Sequence, residues 1–437
     1  MTGLTAAQPA SHTLDSPIAR TLFCLPYAGG GASSYRGLLR ELDGLTVTPI
    51  QLPGRENRIA EPPAFTIGEI ADEIEPATGE PYALYGHSMG ARLSFEVARE
   101  LRRRGLPPPA RLYVGGGHPP HRKVPLAATA DLPDETFIDQ LVRRAGALPE
   151  LKHEPELREL LLPVLRADFA WIKRYRYEPE PPLDTPIVAF TGLDDGEVGV
   201  PDLLGWARHT TAGFRLRTLA GGHLFVKDRP ADVAALIAAD LAGTHLLPAS
   251  DEIHLWLSTI PPDAEDPEAA RVLSAYGRDP DGGLTAVSCR AGDLALTAVT
   301  RGLAAGAALA RPRRRDGGNG RPGGASPDFA EHDDPAKWLS PWEREQVEDA
   351  AEEDRRWLEL RAVTAKRALV AATGAAPESV EFPDLADPAP WRAAGELSSW
   401  LIVHLAVPTA RGEAPAAVAV PHDQVRLRFD TLPDRAG

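Results

Sequence analysis

Tyr82-Ala83-Leu84-Tyr85-Gly86-His87-Ser88-Met89-Gly90 reads as an apolar strand running into a turn that presents a serine between two glycines. A helix-compatible segment, Ala91 to Arg104, follows directly. A serine on so tight a strand–turn–helix connection stands out at the end of the sheet. The glycines are needed there because side chains flanking the serine would strike the neighbouring strand and helix. Outward from this stretch, residues 20–245 alternate strand and helix patterns. That alternation predicts an α/β unit with a mostly parallel sheet and helices on both faces.

Two partners for the serine follow in chain order. After the apolar strand Pro186-Ile187-Val188-Ala189-Phe190 comes Thr191-Gly192-Leu193-Asp194-Asp195-Gly196-Glu197-Val198. After the next strand, Phe214 to Leu219, comes Gly221-Gly222-His223-Leu224-Phe225, ahead of a helix from Pro230 to Leu241. Serine, then acid on the loop after a late strand, then histidine is the order of the α/β-hydrolase fold. His223 would take the proton of Ser88, and the acid would hold the imidazole tautomer and stabilise the imidazolium. Asp195 is preferred to Asp194 because Gly192-x-x-Asp195-x-x-Val198 fits the pattern of that fold better.

The first strong strand, Thr21 to Leu25, ends in Pro26-Tyr27-Ala28-Gly29-Gly30-Gly31. Glycines there let backbone N–H groups approach a reacting carbonyl. One oxyanion donor is expected from the N–H of Met89, just after the serine, and the other from this early loop at Ala28 or its neighbour Tyr27. A phosphate cradle fits less well, because no Lys-Ser/Thr opens a helix after the glycines.

The chain has 437 residues, which predicts two domains. Its hydrophobic and charged fractions, 43% and 25%, are globular values. A formal net charge of −15 argues against nucleic acid as a partner. It would also repel an acidic partner protein, so such a partner needs a local basic patch. Arg92, Arg99, Arg102, Arg103 and Arg104 on the helix after Ser88 offer one, unless they are a solvated helix end. The two cysteines, Cys24 and Cys289, suggest a reducing compartment, with Cys24 a core residue. Met1 to Arg20 lacks the apolar region of a secretory signal, and no run approaches the roughly 18 apolar residues of a membrane helix. A soluble cytoplasmic protein is expected.

Between the strand Arg111-Leu112-Tyr113-Val114 and Asp184 lies a helical insertion, with helical periodicity over Asp134 to Ala145 and Glu154 to Tyr175. In this fold an insertion here forms a lid, about 131–180, carrying Phe137, Leu141, Leu161, Leu165, Phe169 and Trp171. A break at Gly243 to Ser250 closes the first domain. Strands are then expected at Ile253–Leu257 and Leu294–Thr300, and a mobile loop over 311–335. That loop opens on an arginine cluster, Arg311 to Arg315, read as a solvated linker rather than an anion site. Ser340, Pro341 and Glu343 mark a capped helix start. A helix over Arg356–Thr373 and strands near Trp400–Leu405 and Ala416–Val420 follow.

Residues 18–245 resemble a type II thioesterase, the free-standing editing hydrolase of polyketide and non-ribosomal peptide assembly lines. The resemblance rests on Phe23-Cys24-Leu25-Pro26-Tyr27-Ala28-Gly29-Gly30, Gln51-Leu52-Pro53-Gly54-Arg55-Glu56, the Gly86-His87-Ser88-Met89-Gly90 elbow, Pro163 to Phe169, and Gly221-Gly222-His223 with Phe225. It implies hydrolysis of acyl groups from the phosphopantetheine arms of acyl or peptidyl carrier proteins. Ser88 would form an acyl-enzyme that water releases. No cofactor or metal is implied, since phosphopantetheine arrives on the substrate protein. Neither nucleic acid nor membrane is an expected partner.

Residues 251–430 resemble, over 251–422, a two-lobed α+β phosphopantetheinyl transferase of the surfactin type. The matching pieces are Ile253-His254-Leu255-Trp256, Tyr276-Gly277-Arg278, Gly292-Asp293 through Gly302, Leu339-Ser340-Pro341 and Thr364-Ala365-Lys366-Arg367-Ala368. The family's metal-binding acids fall on Ala308, Ala310 and Arg367, a later lysine on Ala371, and its Ser-His-Ser on Ser288-Cys289-Arg290. The first lobe lacks most of the segment between Leu257 and Tyr276 that would help bind coenzyme A. Mg²⁺ wants hard oxygen ligands, so the resemblance implies a transferase-like tail without transferase activity, serving carrier docking or assembly. Three other readings are an acyltransferase or cyclising release enzyme, a bifunctional thioesterase and transferase, and a non-catalytic assembly-line scaffold.

Overall fold

In the computed structural model, the strands β1 (Thr21–Leu25), β2 (Thr46–Pro49), β3 (Tyr82–His87), β4 (Arg111–Gly115), β5 (Ile187–Gly192) and β6 (Phe214–Leu219) lie in the order β2-β1-β3-β4-β5-β6. Every pairing among them is parallel. The structure describes residues 19–146, 149–243, 247–259, 268–274, 276, 282–291, 294–310, 335–385, 391–409, 412–421 and 425–431. These fall into two compact units, one within 17–244 and the other within 245–437. The first is an α/β-hydrolase fold. Outside the described residues lie positions 311–334 of the loop expected over 311–335, with Arg311 to Arg315, and most of the N-terminal segment before Arg20; Pro335, at its end, starts the helix Pro335–Trp338. Gly277-Arg278 and Gly292-Asp293 lie there too.

β3 and β5 are buried at every residue. A parallel strand covered on both faces has no polar side to show, which is why these segments read as near-continuous apolar runs. Leu22 and Cys24 of β1, Tyr85 of β3, Tyr113 of β4 and Val188 and Phe190 of β5 share one core with Leu38, Val233 and Ile237, which come from the helices Arg36–Glu41 and Pro230–Leu241. Cys24 is fully buried within it and free, and burial pushes its thiol far above its ordinary value. The helix Met89–Arg103 buries Leu93, Val97 and Leu101.

The insertion between β4 and β5 contains the helices Asp134–Ala145 and Pro155–Arg174. Phe137, Leu141, Leu165 and Phe169 are buried, with Phe137 and Phe169 meeting edge to face at 5.2 Å. Leu161 and Trp171 are half-buried, and Trp171 packs on Phe65 at 5.7 Å.

The unit within 245–437 contains eight further strands among its described residues: β7 (Glu252–Thr259), β8 (Leu284–Ala291), β9 (Leu294–Arg301), β10 (Gly306–Leu309), β11 (Trp391–Arg392), β12 (Leu401–Thr409), β13 (Gly412–Val420) and β14 (Arg426–Thr431). β14 pairs parallel to β7, which continues antiparallel to β9 and then β8. A second, antiparallel sheet runs β10-β13-β12-β11. The helix Glu352–Thr373 packs so closely on β10 that a Cβ on Gly306 would lie 2.0 Å from the carbonyl oxygen of Ala368. This helix starts four residues ahead of the expected Arg356. No described helix is long and apolar enough to cross a membrane.

The capped start at Ser340 carries a buried charge. The Ser340 hydroxyl accepts the Glu343 N–H at 3.2 Å, and the Ser340 N–H donates back to Glu343 Oε2 at 2.8 Å. The same Oε2 receives Lys366 Nζ at 2.6 Å, with the two side chains 1% and 0% exposed. Glu343 Oε1 accepts the Phe382 N–H at 3.0 Å. Removing one partner of such a pair strands the other charge in an apolar core. Lys366→Met should therefore cost about 3–5 kcal/mol of the unit's stability, read by urea unfolding. A loss below about 1 kcal/mol would contradict this account of the pair.

Candidate active site

The sharpness of the turn after β3 is imposed by sterics. A Cβ on Gly86 would lie 1.9 Å from the carbonyl oxygen of Gly90, and one on Gly90 would lie 2.1 Å from that of Leu25. Between them Ser88 takes φ 53° and ψ −110°, one of two described non-glycine residues with positive φ. Its N–H donates to the Gly115 carbonyl at 2.7 Å, tying the turn to the end of β4. The serine is half-buried, at the N-terminus of the helix Met89–Arg103.

The acid and the histidine approach because the loops after β5 and β6 touch: a Cβ on Gly192 would lie 2.1 Å from the Gly221 carbonyl oxygen. A carboxylate can only accept, so His223 Nδ1–H donates to Asp195 Oδ2, at 2.9 Å. That leaves Nε2 to accept the Ser88 hydroxyl proton, at 3.0 Å. The other carboxylate oxygen of Asp195 accepts the N–H groups of Glu197 and Val198, at 2.9 and 3.0 Å. This turn is what the Gly192-x-x-Asp195-x-x-Val198 spacing builds. Burial alone would raise the Asp195 carboxyl, but the His223 bond and these two amides hold it below its ordinary value. Asp194 is exposed and its N–H donates to the Gly221 carbonyl, so it takes no part in this chain.

His87 is a residue the sequence reading passed over. It is fully buried, and burial holds its imidazole down at about 3, hence neutral. Its Nε2–H donates to the backbone carbonyl of His223 at 2.7 Å, while Nδ1 accepts the Tyr85 hydroxyl at 3.2 Å. His87 thus fixes the backbone that carries the imidazole facing Ser88.

Of the two expected oxyanion donors, Met89 directly follows Ser88, and Ala28 lies in the loop after β1. Met89 is the first residue of its helix, where an N–H has no intrahelical acceptor. The Tyr27–Gly31 loop holds a turn from the Gly30 N–H to the Tyr27 carbonyl, 2.9 Å, and Gly29 has φ +77°. The Gln51–Glu56 segment wraps this loop. Gln51 Oε1 accepts the Ala32 N–H at 2.8 Å, Arg55 Nη1 donates to the Gly30 carbonyl at 3.0 Å, and the Glu56 carboxylate accepts the Ser33 N–H and hydroxyl.

The five arginines of the elbow helix do not form a free basic patch, and only Arg103, at the helix end, is exposed. Arg92 and Arg99 are buried. Arg92 donates to the carbonyls of Pro119 and Arg122 and lies over the Tyr175 ring. Arg99 pairs with Glu96 and Glu180, Arg102 with Glu180, Arg103 with Glu100 and Glu180, and Arg104 with Asp72, Glu75 and Glu100. Their positive charge is buried or met by neighbouring carboxylates.

In the second unit Ala308 lies buried in β10, opposite Ala417, and the Ala310 N–H donates to the Pro415 carbonyl. Arg367 follows the buried Lys366 on the helix Glu352–Thr373. Two methyl groups and a guanidinium offer no hard oxygen donor, so these positions do not fit Mg²⁺. Among the described residues no group of three or more His, Cys, Asp or Glu is placed to hold a metal ion.

A profile of the thioesterase domain family matches residues 20–241. Gramicidin S biosynthesis protein GrsT of Aneurinibacillus migulanus is 41% identical over 216 residues, 47% of this chain and 82% of that protein. Linear gramicidin dehydrogenase LgrE of Brevibacillus parabrevis is 37% identical over 228 residues, 50% of this chain and 87% of that one. Thioesterase PikA5 of Streptomyces venezuelae is 35% identical over 215 residues, 48% and 76% of the two chains. The chain belongs to the thioesterase family and is a thioester hydrolase.

If Asp195 fixes the tautomer of His223, Asp195→Asn should lower kcat about 10⁴-fold with little change in Tm; a loss under ten-fold would remove Asp195 from that role. His87→Gln keeps a donor to the His223 carbonyl and should retain more activity than His87→Phe, which keeps none. Equal kcat in the two variants would count against the His87 bond as the reason for its presence.

Proposed function

We propose that the chain is a type II thioesterase that removes acyl groups from the phosphopantetheine arms of acyl or peptidyl carrier proteins in polyketide or non-ribosomal peptide biosynthesis. The observation that carries this reading is the unbroken hydrogen-bond chain from Ser88 through His223 to Asp195 at a strained elbow. Membership of the thioesterase family and the likeness to GrsT and PikA5 support it. The catalytic domain in this reading spans 18–245, with the insertion at about 131–180 as its lid.

In this mechanism Ser88 Oγ attacks the thioester carbonyl carbon as its proton passes to His223 Nε2. Charge develops on the carbonyl oxygen, where the N–H groups of Met89 and Ala28 receive it. The C–S bond then breaks, and the imidazolium returns the proton to the departing thiolate, leaving an ester on Ser88 and a free phosphopantetheine thiol. A water molecule attacks the ester, again losing its proton to Nε2. Collapse releases the carboxylic acid and restores the serine hydroxyl. Asp195 carries no proton at any step; it holds Nδ1–H and offsets the imidazolium charge. A thiolate is a good leaving group, so these groups suffice for the chemistry.

We also propose that residues 251–430 are a transferase-like module acting in carrier docking or assembly rather than in pantetheine transfer. The residue types at Ala308, Ala310 and Arg367 support the loss of transfer. The chain should leave the mass of an apo-carrier protein unchanged in the presence of coenzyme A and Mg²⁺; a gain of one phosphopantetheine mass would overturn this reading.

The deciding test follows an acetyl- or propionyl-loaded carrier protein by intact mass, with the full chain and with Ser88→Ala. Loss of the acyl mass with the parent alone is the expected result. A carrier that keeps its acyl group with both proteins would overturn the carrier-editing reading.

A further inference from the structure

The insertion helix Pro155–Arg174 sends one carboxylate, Asp168, into the loop expected to hold an oxyanion donor. Asp168 is 0% exposed, and its partner Arg55 is 3% exposed. Arg55 Nη1 and Nη2 reach the two carboxylate oxygens, each at 2.9 Å, in a bidentate fork. Asp168 Oδ2 also accepts the Gly29 N–H at 2.8 Å. Arg55 in turn donates to the Gly30 carbonyl at 3.0 Å and to that of Pro53 at 3.2 Å. One turn earlier on the same helix, Leu165 presses on the loop so closely that a Cβ on Gly29 would lie 2.6 Å from its Cδ2.

Three features of this arrangement point beyond packing. First, every strong bond of Asp168 goes to Arg55 or to the backbone of the loop, so the helix grips the loop through one side chain. Second, the gripped amide belongs to Gly29, the residue after Ala28. Gly29 is at φ +77°, where small backbone rotations redirect the neighbouring peptide. Third, a bare carboxylate beside an oxyanion would oppose the charge that develops there, and the Arg55 guanidinium neutralises it on the spot.

We infer that the buried Arg55–Asp168 pair couples docking of the helix Pro155–Arg174 to the geometry of the Tyr27–Gly31 loop, so that the Ala28 N–H is aimed only when the helix is seated. Asp168 and Arg55 are positioning residues: they act through Gly29 and Gly30. The inference rests on the thioesterase reading of the Ser88 site and adds to it a connection between the lid and the oxyanion donor. Its consequence is that an undocked helix leaves the serine and histidine in place but the donor misdirected. A site open to water would therefore be a poor catalyst, and hydrolysis would await closure.

The test uses the full chain with Asp168→Asn and with the double substitution Arg55→Met/Asp168→Leu. The double variant removes both charges while keeping apolar volume, a replacement that buried ion pairs commonly tolerate without loss of stability. It separates packing from aiming. Readouts are Tm, kcat and KM for the N-acetylcysteamine thioester of propionate, and hydrogen exchange of the Gly29–Gly31 amides. Both variants are expected to lower kcat about 100-fold with KM within about three-fold, and to speed exchange at Gly29. A double variant with parental Tm, kcat within two-fold of the parent and unchanged Gly29 exchange would overturn the inference. If the parent itself leaves the thioester intact, the thioesterase reading of this site fails instead, and exchange at Gly29 alone then decides whether the helix holds the loop.

Discussion

A serine backbone held at φ 53° and ψ −110° is the constraint around which the first unit is arranged. Such a conformation costs on the order of 1–3 kcal/mol and persists only where its surroundings over-determine it. Here the surroundings are close backbone contacts. Gly86 lies against Gly90, Gly90 against Leu25, and the Ser88 N–H is tied to Gly115. No side chain larger than hydrogen fits at either glycine. The same contacts that force the serine upward press β1, β3 and the helix Met89–Arg103 together. The end of β1 is thereby held against the start of the elbow helix. Gly192 repeats the device further along the sheet, letting the Asp195 loop meet the His223 loop through backbone. Nucleophile, acid and base are thus placed by main chain at the ends of β3, β5 and β6 of one parallel sheet.

Much of this was legible in the sequence because it is written locally. The elbow, the Ser88–Asp195–His223 order and the Ser340–Glu343 capping box each need only a few neighbouring residues to declare themselves. The continuous apolar runs of β3 and β5 are of the same kind. What the sequence did not yield is long-range. Arg55 and Asp168, 113 residues apart, both fall in segments that carried the thioesterase resemblance, yet nothing in either segment names the other as its partner. Nothing local to the elbow marks His87, whose bond to the His223 carbonyl spans 136 residues. β14 runs parallel to β7 and could not be read from local alternation, since its partner lies about 170 positions earlier.

The elbow-helix arginines show where a local reading misleads. Their number suggests a basic surface, although part of the cancelling charge stands at helical spacing in Glu96 and Glu100. The rest comes from Glu180, Asp72 and Glu75, brought in by the fold. Buried or paired arginine is a structural element here, holding the 118–122 and 178–182 segments against the helix. In the second unit the buried Lys366–Glu343 pair plays a similar part. The Leu339-Ser340-Pro341 and Lys366 segments, quoted together on resemblance, meet in space through that ion pair.

The central claim is that Ser88 carries the acyl group between the two half-reactions. The most direct measurement is the mass of the protein itself, acid-quenched within milliseconds of mixing with an excess of an acyl thioester, followed by peptide mapping. The account predicts a transient adduct of one acyl mass, located on the peptide containing Ser88 and absent from Ser88→Ala. Turnover of the thioester by the Ser88→Ala protein at the parental rate, or an adduct mapped to another residue, would contradict it.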